Sequence, residues 1–472
     1  MKHATTPSLV PPSPQLMTQL KCKFDELMAQ KRLPSHFTFV DFYHYWASSR
    51  RSENFHGLDD GQTEHKNVRS LEKIERPDKK LKGTIKTLVL LVDFPDKAHN
   101  PVFTQDYYRR LLFGAPNEFA SGSMRDFYHI ASEFDPQTGK GIDVQGAVYG
   151  WFTLPNNLTY YADDTSGGSQ YPRNIQKMAQ DAVEAAQHAG VDFSGYDIFN
   201  EGQITALFII HAGRGAEESG NRNDIWSAKW AIPDPGVQVG PNVVAKTFLT
   251  VPEDCKVGVC AHEWGHLAGR WADYYDTGDN QNFVSNGLGD YCLMASGSWG
   301  NQGLTPVLPN GMLRMFHDWI DVTVVTAPQK NIKLTAASQG GGAVVIFNAA
   351  KMTQKQYILV EYRRKTGQDA FLPDEGLAVY VIDETIDDVN DESKLAIELM
   401  QADGKRDLAG IFNSGNRGDS KDLYPYGQKR TLSKSTKPAL KFPNGSATGV
   451  KIVVKGTPGA ADFLTMDVSF EG

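Results

Sequence analysis

The sequence predicts an α+β domain followed by an all-β, sandwich-like domain. Three observations lead there. Continuous apolar runs such as "TLVLLVDF" and "QITALFIIHAG" alternate with amphipathic helical stretches between residues 84 and 327. Beyond Pro328 only short apolar runs between turn residues remain. At 472 residues the chain is long enough for two or three cores.

Residues 1–83 read as an extension or pro-segment. A Pro-rich tip, "MKHATTPSLVPPSPQ", leads into the amphipathic stretch "QLMTQLKCKFDELMAQKRL". The charged segment that follows is too polar to hold a core and reads as a linker. The tip has no apolar segment of the kind a signal peptide carries.

In residues 84–327 the elements follow from local pattern. "TLVLLVDF" (Thr87–Phe94) is β-branched and Leu-rich, as a strand covered on both faces must be. "SMRDFYHIAS" is a helix with Ser at its N-cap. "IDVQGAVYGWFTL" alternates as one or two strands. "RNIQKMAQDAVEAAQHAG" is an amphipathic helix stopped by Gly190. In residues 328–472 the runs "NIKLTAA", "GAVVIFNAA", "QYILVEYRR", "GLAVYVID", "GVKIVVKG" and "FLTMDVSF" supply the strands of the β-rich domain.

The net charge of −8 excludes nucleic acid and anionic membrane as the main partner. No apolar run approaches the roughly 20 residues that span a bilayer. Cys22, Cys255, Cys260 and Cys292 are too few for a disulfide framework. They are buried thiols, or one bridge joins Cys260 to Cys255 or Cys292.

The chemistry concentrates in "VCAHEWGHLAG", Val259–Gly269. Residues i and i+4 of a helix project from one face about 6 Å apart. Two imidazoles so placed, His262 and His266, can bind one tetrahedral Zn²⁺ at about 2.0–2.1 Å each. Glu263 stands beside that face, where it can take a proton from water held at the metal and pass it to a leaving amine. The apolar, small flanks "VGVCA" and "LAG" suit a buried helix better than a solvated one. Catalytic zinc needs a third protein ligand. Gly269 lets the chain turn back, and Asp273 and Asp276 are the nearest oxygen donors beyond it. Asp273 needs the shorter return and is the first choice, with Asp276 next.

Taken together, these motifs resemble the immune inhibitor A peptidases, secreted metzincin-like zinc metalloproteases. The resemblance covers residues 84–470. Beside the histidine motif it rests on "KTLVLLVDFPD", "GSMRDFYHIAS", "ALFIIHAGRGAEESGNRNDIWSAKW", "ADYYDTGD", "YCLMASGSWG" and "EYRRKTGQDAFLPDEGLAVYVID". It implies a metzincin-like catalytic domain with His262 and His266 as zinc ligands and Glu263 as the base. It also implies Met294 in the turn under the metal, secretion, and a pro-segment over residues 1–83. Family members commonly place Asp ten residues after the first His. Here that residue is Ala272, and one extra residue precedes Asp273. Phe199 and Thr205 replace oxygen ligands of a loop that looks suited to calcium in relatives, so weak or absent calcium binding is expected there.

The expected function is a zinc-dependent endopeptidase acting on protein or peptide substrates, with Zn²⁺ as cofactor and a monomer as the working form. The alternative is a catalytically inactive, zinc-stabilised protein whose β-rich domain grips a surface or glycan. The intact Glu263 argues against it, since a structural site needs no base. Cys22 in "LKCKFDEL" is a candidate thiolate cap on the zinc, supplied by the extension.

Overall fold

The computed structural model describes residues 8–48, 74, 76–275, 285–386, 389, 394–410 and 415–471. The N-terminal extension contributes a strand, β1 (Ser8–Leu9), and two helices, α1 (Pro14–Ala29) and α2 (Phe39–Ser48). Ser13 caps α1, its hydroxyl accepting the Leu16 N–H at 3.1 Å. Pro14 occupies the first turn, where a missing N–H costs nothing. Leu16, Leu20 and Phe24 form the buried face of this helix.

The main sheet is built from β2 (Gly83–Asp93), β3 (Ile142–Thr153), β4 (Leu207–His211) and β5 (Ala228–Ala231). A hairpin, β6 (Val237–Gly240) and β7 (Val243–Ala245), precedes its last strand, β8 (Thr247–Pro252). The order is β1-β5-β8-β4-β2-β3. β3, β2, β4 and β8 run parallel to their neighbours. β5 turns antiparallel to β8, and β1 adds antiparallel to β5. The connections carry α3 (Gln105–Phe113), α4 (Met124–Ser132), α5 (Leu158–Ala162), α6 (Ile175–His188) and α7 (Ala216–Ser219).

The local signals read from sequence have their physical counterparts. Thr87 to Asp93 of β2 are buried without a break, because the strand is central and covered on both faces. Ser123 and Asp126 cap α4 reciprocally, each side chain accepting the other's N–H at 3.0 Å. Gly190, at φ +79°, follows α6 in the left-handed conformation that ends helices.

From β8 the chain enters α8 (Val257–Trp264), which runs on as a π-helical turn, Gly265–Gly269. α9 (Gly311–Phe316) and β9 (Val322–Val325) lead into the β-rich part. There β10 (Gln329–Thr335), β11 (Ala343–Ile346), β12 (Gln356–Arg363), β13 (Gly376–Asp383), β14 (Ile397–Leu399), β15 (Thr431–Leu432), β16 (Val450–Lys455) and β17 (Phe463–Phe470) follow. They form a five-stranded sheet, β14-β13-β12-β11-β9, and a four-stranded sheet, β10-β17-β16-β15. The chain is thus a mixed helix-and-sheet, α+β structure. All four cysteines are unpaired thiols, three of them buried.

β12 links the two parts of the fold. Its Ile358, Val360 and Tyr362 share a core with Leu334, Ile452 and Met466 of the four-stranded sheet. The alternate residues Tyr357 and Leu359 join the core of the main sheet. At the end of β12, Arg363 is fully buried. Its guanidinium meets Asp369 through two bonds of 2.8 Å and donates to the Tyr291 carbonyl at 2.7 Å. Asp369 in turn accepts the Leu308 N–H at 3.0 Å. One buried ion pair therefore ties the β-rich part to the segment 291–308.

Removing one member of a buried pair leaves the other charge without compensation, at a cost of about 3–5 kcal/mol. Arg363→Ala is expected to lose stability of that order in denaturant unfolding. A loss under about 1 kcal/mol would show that the pair is not a structural tie.

Candidate metal centre

His262 lies in the last turn of α8, and His266 in the π turn that continues it. In that turn the Arg270 N–H reaches back five residues to the Gly265 carbonyl. The wide turn takes up the extra residue that separates Gly269 from Asp273. Arg270 then reverses the chain at φ +54°, and Asp273 returns to the histidines. His262, His266 and Asp273 are all buried.

Their facing atoms form a triangle with equal sides. His262 Nε2 is 3.1 Å from His266 Nε2, and Asp273 Oδ1 is 3.1 Å from each. Ligands about 2.0–2.1 Å from a tetrahedral zinc stand about 3.3–3.4 Å from one another, so the triangle has nearly the size of a zinc face. Both far ring nitrogens are engaged. His262 Nδ1 faces the Leu293 carbonyl at 2.9 Å, and His266 Nδ1 faces the Trp271 carbonyl at 2.7 Å. A carbonyl only accepts, so each Nδ1 carries the proton and each Nε2 turns a lone pair toward the other. Two ring nitrogens and a carboxylate oxygen converging at 3.1 Å could hold a metal ion, and the donor set is of the kind zinc takes. Burial raises the Asp273 pKa, but electrostatic attraction and hydrogen bonding from the facing His266 and His262 rings outweigh it in the metal-free protein, where a proton can lie between ring and carboxylate, and hold the carboxyl below its usual range.

Glu263 is fully buried, and neither carboxylate oxygen has a hydrogen-bond partner. Burial pushes its pKa well up, with the Asp273 and Glu217 charges adding to the shift. The Val10 backbone N–H acts in the opposite direction. Beneath the histidines, Met294 is buried against the helix. A Cβ added to Gly265 would lie 2.9 Å from its sulfur and 2.8 Å from the Trp271 ring. Glycine lets this turn pack closely on Met294 and the Trp271 ring.

Of the four residues singled out by sequence, His262, His266 and Asp273 come together, and Glu263 follows His262 in α8. Asp276, the other candidate ligand, lies outside the described residues. Cys22 is exposed on α1 rather than held at the site. The extension reaches the site through a different stretch, which sequence reasoning missed. β1 pairs with β5 in the register Ser8↔Lys229 and Leu9↔Ala228. Val10 then donates to the Ser227 carbonyl at 3.3 Å. Trp226 donates to the Val10 carbonyl at 2.8 Å, and Trp299 to the Pro11 carbonyl at 2.9 Å. Tyr275 donates its hydroxyl to the Leu9 carbonyl. Glu217, pushed up to about 7 by burial, holds the Ser227 hydroxyl at 2.5 Å and its N–H at 3.1 Å. The available signal was "SLVPP", a short apolar run closed by two prolines, as expected of a strand that pairs on one side only.

Residues 74–310 match the model of the immune inhibitor A peptidase M6 catalytic domain. The chain is 31% identical over 265 residues to immune inhibitor A of Bacillus thuringiensis subsp. alesti, which covers 47% of this chain and 38% of that protein. It is 30% identical over 260 residues to the pre-pro-metalloprotease PrtV of Vibrio cholerae, covering 46% of this chain and 28% of that protein. The chain thus spans well under half the length of these relatives. With half of its residues matched by the family model, the chain belongs to the immune inhibitor A peptidase M6 family.

Proposed function

We propose that this protein is a zinc-dependent endopeptidase that hydrolyses peptide bonds in protein or peptide substrates outside the cell. The carrying observation is the 3.1 Å triangle of His262 Nε2, His266 Nε2 and Asp273 Oδ1, with both Nδ1 atoms committed to carbonyls. These three residues would hold the metal. When bound, zinc supplies Lewis-acid chemistry, drawing electron density from a peptide carbonyl and making water a stronger acid. Glu263 takes the proton of the attacking water and delivers it to the leaving nitrogen. Its burial supports that role, since a dehydrated carboxylate gains more from taking a proton. Met294 serves as an apolar floor under the ligands. The same reading takes residues 84–327 as a metzincin-like catalytic domain and residues 328–472 as a sandwich-like domain.

Residues 1–83 are proposed to be a pro-segment that restrains activity. Leu9, Val10 and Pro11 are held against the site by main-chain carbonyls and one main-chain N–H. A peptide in the same place would use the same bonds, so the segment and a substrate compete. Among the described residues no helix is long and apolar enough to cross a membrane.

Three outcomes test this reading. Zinc should copurify at one equivalent, and His262→Ala should abolish it. Asp273→Ala should lower zinc affinity at least about tenfold, or about 1.4 kcal/mol, in a chelator titration. Full zinc occupancy in both variants would remove the metal assignment. Glu263→Gln should keep the zinc and lose nearly all casein hydrolysis, because the amide cannot take a proton. Wild-type turnover by that variant would exclude Glu263 as the base. Leu9→Asp in the full chain should raise casein hydrolysis at least about tenfold, a factor equal to about 1.4 kcal/mol of lost segment binding. Unchanged activity would count against restraint by this segment.

A further inference from the structure

We propose that Tyr275 is a catalytic residue whose hydroxyl stabilises the oxyanion formed on the carbonyl of the bond being cleaved. The inference rests on the peptidase reading and deepens it. The Leu9–Val10 peptide is held at its two ends by different groups. Its carbonyl oxygen accepts from the Tyr275 hydroxyl. Its N–H donates to the Ser227 carbonyl at 3.3 Å. One peptide group is thus held at its oxygen by the Tyr275 hydroxyl and at its nitrogen by the main chain of Ser227, just ahead of β5.

The polar contacts to the segment are all made to its main chain, while the Leu9 and Val10 side chains are buried in the core. The β1–β5 pairing, Trp226 on the Val10 carbonyl and Trp299 on the Pro11 carbonyl are all main-chain contacts. An extended substrate in the same register brings a carbonyl oxygen to Tyr275 and the following N–H to the Ser227 carbonyl. Tyr275 is buried, with 5% of its surface exposed, and stands two residues beyond Asp273. Its position is therefore fixed with the ligand set.

The chemistry balances without another reactant. The oxygen of water adds to the carbonyl carbon, and its proton passes to Glu263. The carbonyl oxygen gains negative charge, and the Tyr275 O–H bond to it strengthens from a neutral to a charge-assisted hydrogen bond. Glu263 delivers the proton to nitrogen, the C–N bond breaks, and the oxyanion collapses to the carboxylic acid, whose remaining proton passes to the released amine to give carboxylate and ammonium products. Because the hydroxyl binds the oxygen more strongly after charge develops, it acts on the transition state more than on bound substrate.

The test uses the full, zinc-loaded chain carrying Leu9→Asp, with and without Tyr275→Phe, which removes only the hydroxyl. Deletion of one oxyanion donor costs about 10²–10³-fold in kcat. A fall of that size is expected with KM changed less than about threefold. Two peptide probes read the same hydroxyl without turnover. A phosphinic peptide, whose tetrahedral anion mimics the charged oxygen, should bind at least about tenfold more weakly to the Tyr275→Phe chain. The same peptide with CH₂–CH₂ in place of the reacting CO–NH should bind both chains alike. If phosphinate affinity is equal in the two chains, or both probes weaken together, the assignment of Tyr275 is wrong. If Tyr275→Phe selectively weakens the phosphinate while neither chain hydrolyses casein, the Tyr275 hydroxyl still binds the anionic oxygen, but the peptidase reading falls and the catalytic role of Tyr275 with it.

Discussion

Two hydrogen bonds from imidazole to carbonyl organise this molecule: His262 Nδ1 to Leu293 and His266 Nδ1 to Trp271. They fix each ring's tautomer and rotation, so that two lone pairs and the Asp273 carboxylate share one buried point. Without a cation that point concentrates negative potential in a low dielectric. The rest of the fold has to hold the two carbonyls still.

Each carbonyl has its own support. Leu293 is steadied through the Leu308 carbonyl at 3.4 Å, and the adjacent Tyr291 and Leu308 are tied to the buried Arg363–Asp369 pair of the β-rich part. The β-rich part is therefore coupled to the orientation of His262 through the segment that carries Leu293. Trp271 is carried by the π turn, whose extra width lets the chain return so that its carbonyl meets His266 and Asp273 follows. On the other side, the Tyr128 hydroxyl holds the Ala261 carbonyl at 2.7 Å, and the Trp264 indole reaches Thr87 of the central strand at 3.0 Å. The helix bearing the site is clamped between the sheet and the segment beneath it.

The N-terminal segment completes the opposite wall. β5 has one neighbour in β8, and β1 covers its other edge. An uncovered edge presents free main-chain donors and acceptors, which suits it to an extended peptide. The segment meets that demand within the chain, with Tyr275, Trp226 and Trp299 each taking one of its carbonyls. Pro11 and Pro12 lack N–H groups and end the pairing, and Pro14 begins α1, which packs its apolar face on the protein.

The sequence by itself determined what depends on short range. The spacing of His262 and His266 follows from helix pitch. The run from Thr87 to Asp93 specifies a strand covered on both faces, and Ser123 with Asp126 specifies where a helix starts. Asp273 could be preferred over Asp276 only by the length of the return, because spacing does not show how a turn is wound. Tertiary structure decided the rest. The π turn that absorbs one residue, the carbonyls of Leu293 and Trp271, and the approach of Leu9 to Tyr275 across 266 residues of chain all depend on long-range packing. A main-chain carbonyl carries no sequence signature. A hydrogen bond to one is therefore invisible until the backbone has been brought to it.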